Sequence, residues 1–442
     1  MSEPIRIGLL GLGTVGQGLV RLLAHNRAEY MRRLGRPLIV THAFARDLAR
    51  KRDCDLTGIK VVSDPHAVTR EAPVDVVVEL LGGMEPAREL ILEAIAAGRP
   101  VVTANKALLA EDGGMLFDAA RKAGVAIAFE ASVAGGIPIL RVLREGLAGT
   151  LIEGVAGIVN GTSNYILTQM GERGLDFATA LAEAQAQGYA EADPAFDVDG
   201  IDAAHKLTIL ASMAFGMPLS FKGVAAEGIR DVTAHDLVLA AELGYRVKPL
   251  SIAKRHGGRV ELRVHPTLVP ADHLLAKVDG VLNSIIVQSD AVGATGYYGR
   301  GAGGDATASA VVADLLEIAR ELGAHAHFQA HPLGYDPAAV QPQPLVPMGE
   351  VECAHYLRLR VADTPGVLKA ITSILAELDI SIEAILQKEP QGRKGGKEDA
   401  MVAIITSVVA EQRFRAALEK LLALKFVRPG STHLRVEHFN GR

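Results

Sequence analysis

Ile5-Arg6-Ile7-Gly8-Leu9-Leu10-Gly11-Leu12-Gly13-Thr14-Val15-Gly16 opens the chain with an apolar run that breaks into glycines at fixed offsets. A strand buried on both faces reads as a nearly continuous apolar run, and here a Gly-x-Gly-x-x-Gly turn follows it directly and opens a helix. Gly11 would make the tight turn, Gly13 would let the backbone approach a pyrophosphate, and Gly16 would let helix and strand pack closely. With Thr14 and Val15 completing the turn, the helix start would face the phosphates with unpaired N–H groups and a positive dipole end. The expected fold class is therefore α/β, with an N-terminal Rossmann-type parallel sheet.

The pattern continues outward from this stretch. Ile5–Leu10, Leu38–Ala43, Val74–Leu80, Pro100–Thr103 and Val125–Glu130 read as strands, with helices expected at Gly16–Arg33, Pro86–Ala97 and Gly113–Ala123. Strand–helix–strand repetition implies parallel pairing with right-handed crossovers. The 442 residues suit about three domains. With 49% hydrophobic residues, 4% aromatic and no Trp, the cores must be aliphatic. A net charge of −5 removes the electrostatic case for a nucleic-acid binder. Two cysteines, Cys54 and Cys353, make neither a disulfide framework nor a thiolate zinc cage, which points to a reducing cytoplasm. The glycines within Ile7–Val20 argue against a signal peptide, and Leu207–Phe221 is too short to span a bilayer.

Residues 1–133 read as the dinucleotide-binding domain, with a return helix at about 305–330. Residues 134–304 read as an α+β substrate-binding, catalytic and dimerisation domain, with helices at Phe177–Gln187 and Gly200–Ala214 and strands at Val247–Ala253, Val260–Pro266 and Ser284–Ser289. The proline-bearing run 338–350 reads as a linker. Residues 351–438 then give the β-α-β-β-α-β order of a ferredoxin-like domain, and the charged stretch Lys388–Asp399 reads as a hairpin tip.

The candidate chemistry lies at strand ends and in one acidic loop. After the second strand, Arg46 favours the 2′-phosphate of NADP, while the neighbouring Asp47 leaves NAD open. Asn105-Lys106 falls at the C-terminal end of a parallel strand, where such sheets bind ligands. Glu191 to Lys206 is the densest polar stretch. It is not a calcium loop, because counting from Gly200 puts Ala195 at the first ligand position and Lys206 at the twelfth. Asp202 and Lys206, four apart, share one helix face. His325, His327 and His331 form an HxHxxxH cluster that reads as ordinary histidines rather than zinc ligands.

Ala184 to Lys206, with Gly188, Asp193-Pro194, Asp197, Gly200, Asp202 and Lys206, resembles the signature of the homoserine dehydrogenases. So do Asn105-Lys106, Gly161-Thr162-Ser163-Asn164-Tyr165-Ile166-Leu167 and Gly299-Arg300-Gly301-Ala302-Gly303. Asp363-Thr364-Pro365-Gly366-Val367-Leu368 is similar to the first turn of an ACT domain, and the whole looks like the monofunctional bacterial form of the family.

The resemblance implies NAD(P)H-dependent reduction of L-aspartate 4-semialdehyde to L-homoserine, on the route to threonine and methionine. It implies Lys206 as the acid–base group, Lys106 as a second catalytic cation, Glu191 and Asp202 on the substrate, and Asp197 supporting the loop. Gly188, Gly303 and Lys106 would lie along the cofactor. Glu130 with Val133, Gly135 and Ile137 would hold a monovalent cation, usually sodium. Threonine is the implied effector at Asp363, Gly366 and Leu368, although Asp379 stands where many effector-binding ACT domains carry Asn. A homodimer or homotetramer is implied. A related dehydrogenase of another small aldehyde, or a non-catalytic amino-acid sensor, are the competing readings.

Overall fold

The chain divides into two compact units, the first comprising Met1–Val155, Ala204–Val224 and Asn283–Gln343, the second Ala156–Ala203, Ala225–Leu282 and Pro344–Arg442. This computed structural model describes residues 3–324, 331–388 and 399–439.

The first unit is built on six parallel strands, β1 (Ile5–Leu10), β2 (Leu38–Phe44), β3 (Lys60–Val62), β4 (Val76–Glu79), β5 (Val101–Thr103) and β6 (Ile127–Ala128), in the order β3-β2-β1-β4-β5-β6. That is the doubly wound order of a dinucleotide-binding sheet, whose ligand site lies at the carboxyl ends where β1 and β4 diverge. Helix α1 (Thr14–His25) packs Leu19 and Leu23 against Ile7 and Leu9 of β1. The helix expected over Gly16–Arg33 is two helices, because the backbone leaves helical geometry at Asn26 before Arg27–Leu34 resumes. Asn is a weak helix former, and the Asn26 side chain donates to Tyr30 Oη at 3.3 Å rather than capping the second helix. Helix α2 (Lys106–Ala123) starts well before the expected Gly113, where Gly113-Gly114 had masked its amphipathic period. A Cβ at Gly113 would lie 2.5 Å from Leu219, so that glycine serves packing. Helix α3 (Ile201–Phe215) and α4 (Gly304–Ala324) complete the elements used below; residues 325–330 of the expected return helix lie outside the described residues.

In the second unit, β7 (Tyr245–His256) and β8 (Arg259–Pro270) form an antiparallel hairpin closed by Gly257-Gly258, both with positive φ. A two-residue hairpin turn of this hand demands that backbone. The C-terminal region follows the expected order: β9 (Glu352–Ala362), α5 (Val367–Glu377), β10 (Ile382–Lys388), β11 (Asp399–Thr406), α6 (Glu411–Leu422) and β12 (Val427–Val436). Its strands lie in the order β12-β9-β11-β10. Strand β12 also pairs parallel with β8, at Thr267↔Arg435 and Leu268↔Val436. Successive side chains of β9 therefore enter different cores. Tyr356 packs with Ile166, Leu167 and Leu268, whereas Leu357 and Leu359 pack with Ile371 and Phe414. Pro344 and Val346 of the proline-bearing run exchange backbone hydrogen bonds with Val260 of β8. The charged tip, residues 389–398, lies outside the described residues.

Buried charges in this unit are paired, as burial requires. Arg435 makes bidentate hydrogen bonds to Glu411 and Glu227 at 2.7–2.8 Å. Arg358 reaches Asp236 at 2.6 Å, and Arg263 reaches Glu437 at 2.6 Å.

Candidate active site

The glycine turn behaves as its spacing demands. Gly11 has φ +112, and a Cβ there would lie 2.9 Å from the Leu80 carbonyl. A Cβ at Gly16 would lie 2.1 Å from the Gly11 carbonyl, so only glycine fits. Gly13, exposed at the start of α1, has open space around it, which leaves its backbone approachable. Gly303 precedes α4 with φ +121, and a Cβ at the adjoining Gly304 would lie 3.0 Å from the Thr14 carbonyl. The structure thus brings Gly303 to the same turn as Gly11, Gly13, Thr14, Val15 and Gly16.

At the end of β2, Arg46 is exposed. The Asp47 carboxylate is turned onto its own loop, accepting hydrogen bonds from the Ala49 and Arg50 amides at 2.9 and 3.2 Å. Arg50 and Lys51 lie exposed on the same loop. The loop presents cations rather than a carboxylate, a donor set suited to a phosphate.

Lys106 is the first residue of α2, half-buried, and Asn105 caps that helix by accepting the Leu108 amide at 3.2 Å. Lys206 is buried on α3, one turn after Asp202. Of the acidic loop, Asp202 is buried, Asp197 half-buried and Glu191 exposed. Asn160 joins two of them: its Nδ2 donates to Asp197 Oδ1 and to Asp202 Oδ2, each at 2.8 Å. Asn160 Oδ1 meanwhile caps the helix Gly161–Arg173 by accepting the Ser163 amide at 2.8 Å. Sequence reasoning missed Asn160, although an Asn just before a helical run is a capping signal that could have drawn attention to it. Gly188, exposed with φ +74, ends the turn after Phe177–Ala186.

Glu130 is buried, and its two carboxylate oxygens accept the Leu140 and Arg141 amides at 2.9 Å each. Burial pushes its carboxyl above the ordinary range against those amides and the nearby Arg141. Val133, Gly135 and Ile137 follow it in a buried turn; a Cβ at Gly135 would lie 2.8 Å from Thr307 Oγ1. An anionic oxygen together with backbone carbonyls would make a donor set for a hard cation. By contrast, Cys353, His355 and Glu411 come close enough to share a metal, but Glu411 already accepts from Arg435 and Arg415. Of the histidine cluster, His331 is half-buried, and His325 and His327 lie outside the described residues.

In the C-terminal region, Asp363, Thr364, Gly366 and Leu368 line a cavity of about 390 Å³ together with Gln387 and Val402. Gly366, with φ +93, starts α5. Asp379 has φ +58 at the turn after that helix. Asp and Asn are the side chains that tolerate this backbone, so the residue type there answers to the turn. Among the described residues, no helix is long and apolar enough to cross a membrane.

Residues 138–316 match the homoserine dehydrogenase family, residues 11–130 the homoserine dehydrogenase NAD-binding domain, and residues 355–426 the ACT domain. A homoserine dehydrogenase from Pseudomonas aeruginosa is 48% identical, aligned over 99% of this chain and 100% of its own length. One from Bacillus subtilis is 39% identical over 98% and 99%. The crystal structure of a homoserine dehydrogenase from Thiobacillus denitrificans superimposes with a TM-score of 0.91 at 48% identity, covering 98% of each chain. A hyperthermophilic archaeal homoserine dehydrogenase solved in complex with NADPH matches at TM-score 0.61 and 29% identity, over 72% of this chain and 98% of that one.

Proposed function

This chain belongs to the homoserine dehydrogenase family and is an NAD(P)-dependent oxidoreductase, and we propose that it interconverts L-aspartate 4-semialdehyde and L-homoserine with NADP as the preferred carrier. The observation that carries the reading is α3, which sets the buried Asp202 and Lys206 one turn apart. A bound nicotinamide supplies the hydride that reaches the aldehyde carbon.

As that bond forms, the C=O bond opens and charge develops on oxygen, which a positioned cation stabilises and a proton completes. Lys206 supplies that proton, and Lys106 holds the oxygen as a second cation. Glu191 and Asp202 bind the substrate's α-ammonium, with Asp197 and Asn160 fixing the loop. Arg46 binds the 2′-phosphate, an assignment supported by the Asp47 carboxylate being engaged by its own loop. Glu130 with the carbonyls of Val133, Gly135 and Ile137 holds a monovalent cation, sodium as the family resemblance implies; its role is to hold this turn in place. Threonine is the effector of the ACT region, in the cavity beside Asp363, Gly366 and Leu368. The enzyme works as a homodimer or homotetramer in the cytoplasm.

The test is NADP⁺ reduction followed at the nicotinamide absorbance with L-homoserine, with and without threonine. Homoserine-dependent reduction that threonine inhibits is expected. An absence of turnover would leave a nucleotide-dependent sensor instead, and turnover indifferent to threonine would leave the ACT region a structural module.

A further inference from the structure

Glu79 ends β4 at the carboxyl edge of the nucleotide-binding sheet and is fully buried. An isolated carboxylate costs several kcal/mol at such a place, so its partners explain why it stands there. Oε2 accepts the Thr103 hydroxyl at 2.6 Å. Oε1 accepts the Leu81 amide at 2.7 Å and the Gly82 amide at 3.1 Å. Three donors thereby converge on the two acceptor oxygens, and an amide, with one acceptor oxygen, cannot serve both sides.

The groups held are not incidental. The Thr103 hydroxyl that donates to Glu79 itself accepts the Asn105 amide at 3.0 Å. Asn105 caps α2, whose first residue is Lys106, and donates from Nδ2 to the Gly83 carbonyl at 2.7 Å. Gly82 and Gly83 both have positive φ, which turns the Leu81 and Gly82 amides toward the carboxylate. The same loop backs onto the phosphate turn, where the Leu80 amide donates to the Leu10 carbonyl and the Leu80 carbonyl closes on Gly11.

We propose that Glu79 is a positioning residue for the reaction: through Thr103 and Asn105 it sets the start of α2, and through Leu81 and Gly82 it locks that start to the loop behind the glycine turn. It touches no reacting atom itself. The cation it serves is Lys106, so the inference rests on the role given to Lys106 above.

The test is a double-mutant cycle on kcat, run with NADPH titrated separately by fluorescence. Glu79→Gln is expected to lower kcat about tenfold while NADPH affinity changes less than twofold. Thr103→Val should reproduce that loss, and Thr103→Ser, which keeps the hydroxyl, should restore kcat to within twofold. In a Lys106→Ala background, Glu79→Gln should cost less than twofold more, because the group it positions is gone. Additive losses, or Thr103→Val at wild-type kcat, overturn the inference while leaving the role of Lys106 intact. Lys106→Ala at wild-type kcat instead overturns the reading on which it rests. Should Glu79→Gln fail to fold, the cycle runs on Thr103→Val.

Discussion

Replacing Asn160 by Ser separates two jobs that one side chain performs. Its Oδ1 caps a helix, and its Nδ2 holds Asp197 and Asp202 together through two 2.8 Å hydrogen bonds. A serine hydroxyl accepts the Ser163 amide as a cap but is too short to bridge the two carboxylates. A hydrogen bond to a charged group contributes about 1.5–3 kcal/mol net, so losing both removes about 3–6 kcal/mol before water replaces part of it. Asp197 is half-buried and readily rehydrated, whereas Asp202 is buried and is not. If half of the total is felt at Asp202 in the transition state, about 1.5–3 kcal/mol, kcat/KM for homoserine falls about ten- to a hundredfold. Steady-state kinetics of Asn160→Ser and Asn160→Ala, with thermal unfolding of each, decide the matter. Both variants should lose activity alike, but only Asn160→Ala should lose a further ~1 kcal/mol of stability with the cap. Asn160→Ser with kcat/KM within twofold of wild type would refute the assignment of the bridge to function.

Three other outcomes are expected. Arg46→Ala should raise KM for NADPH about tenfold and leave NADH unchanged, as comparative kinetics would show; equal effects on both would place the 2′-phosphate elsewhere. Sodium chloride in place of choline chloride should raise Tm by a few degrees, since a cation at a hundred times its Kd adds about 2.7 kcal/mol. Glu130→Gln should abolish that shift, and a shift persisting in the variant would put the cation at another site. Stability should fall on acidification from pH 6.5, because burial holds His355 down to about 4 and His433 to about 3, so the unfolded chain binds protons that the folded chain refuses. A second loss follows between about pH 4.5 and 2. Burial would raise Glu411, but hydrogen bonds from Arg435 outweigh it and hold the carboxyl near 2. For His355 the penalty is on the order of 3 kcal/mol when fully developed. A Tm–pH curve whose slope below 6.5 is unchanged in His355→Leu would sink this account.

Much of the architecture was readable along the chain because its determinants are local. The Ile5–Gly16 stretch announces its strand, turn and helix through burial on both faces and through the spacing of its glycines, of which Gly11 and Gly16 have no room for a Cβ. The order of the C-terminal elements is likewise a matter of period and punctuation. What escaped was decided by competition between local preferences or by distant partners. Asn26 ends α1 in the middle of a helical pattern, and Gly113 hides in α2 because it packs against Leu219, which is far away in sequence. Asp379, standing where many effector-binding ACT domains carry Asn, counts against an effector contact in the sequence, while its φ of +58 shows a turn that admits either residue.

The amino-acid sequence alone was enough to specify a parallel nucleotide-binding sheet, an acidic loop leading into a lysine-bearing helix, and a βαββαβ tail, since periodicity and glycine placement act over a few residues. Only tertiary structure could reveal that β12 joins β8, that Asn160 gathers Asp197 and Asp202, and that Glu79 draws Thr103, Leu81 and Gly82 onto one carboxylate. Hydrogen bonds between residues far apart in sequence leave no period in it; they exist only once burial forces each polar group to find whatever partner the fold has brought within reach.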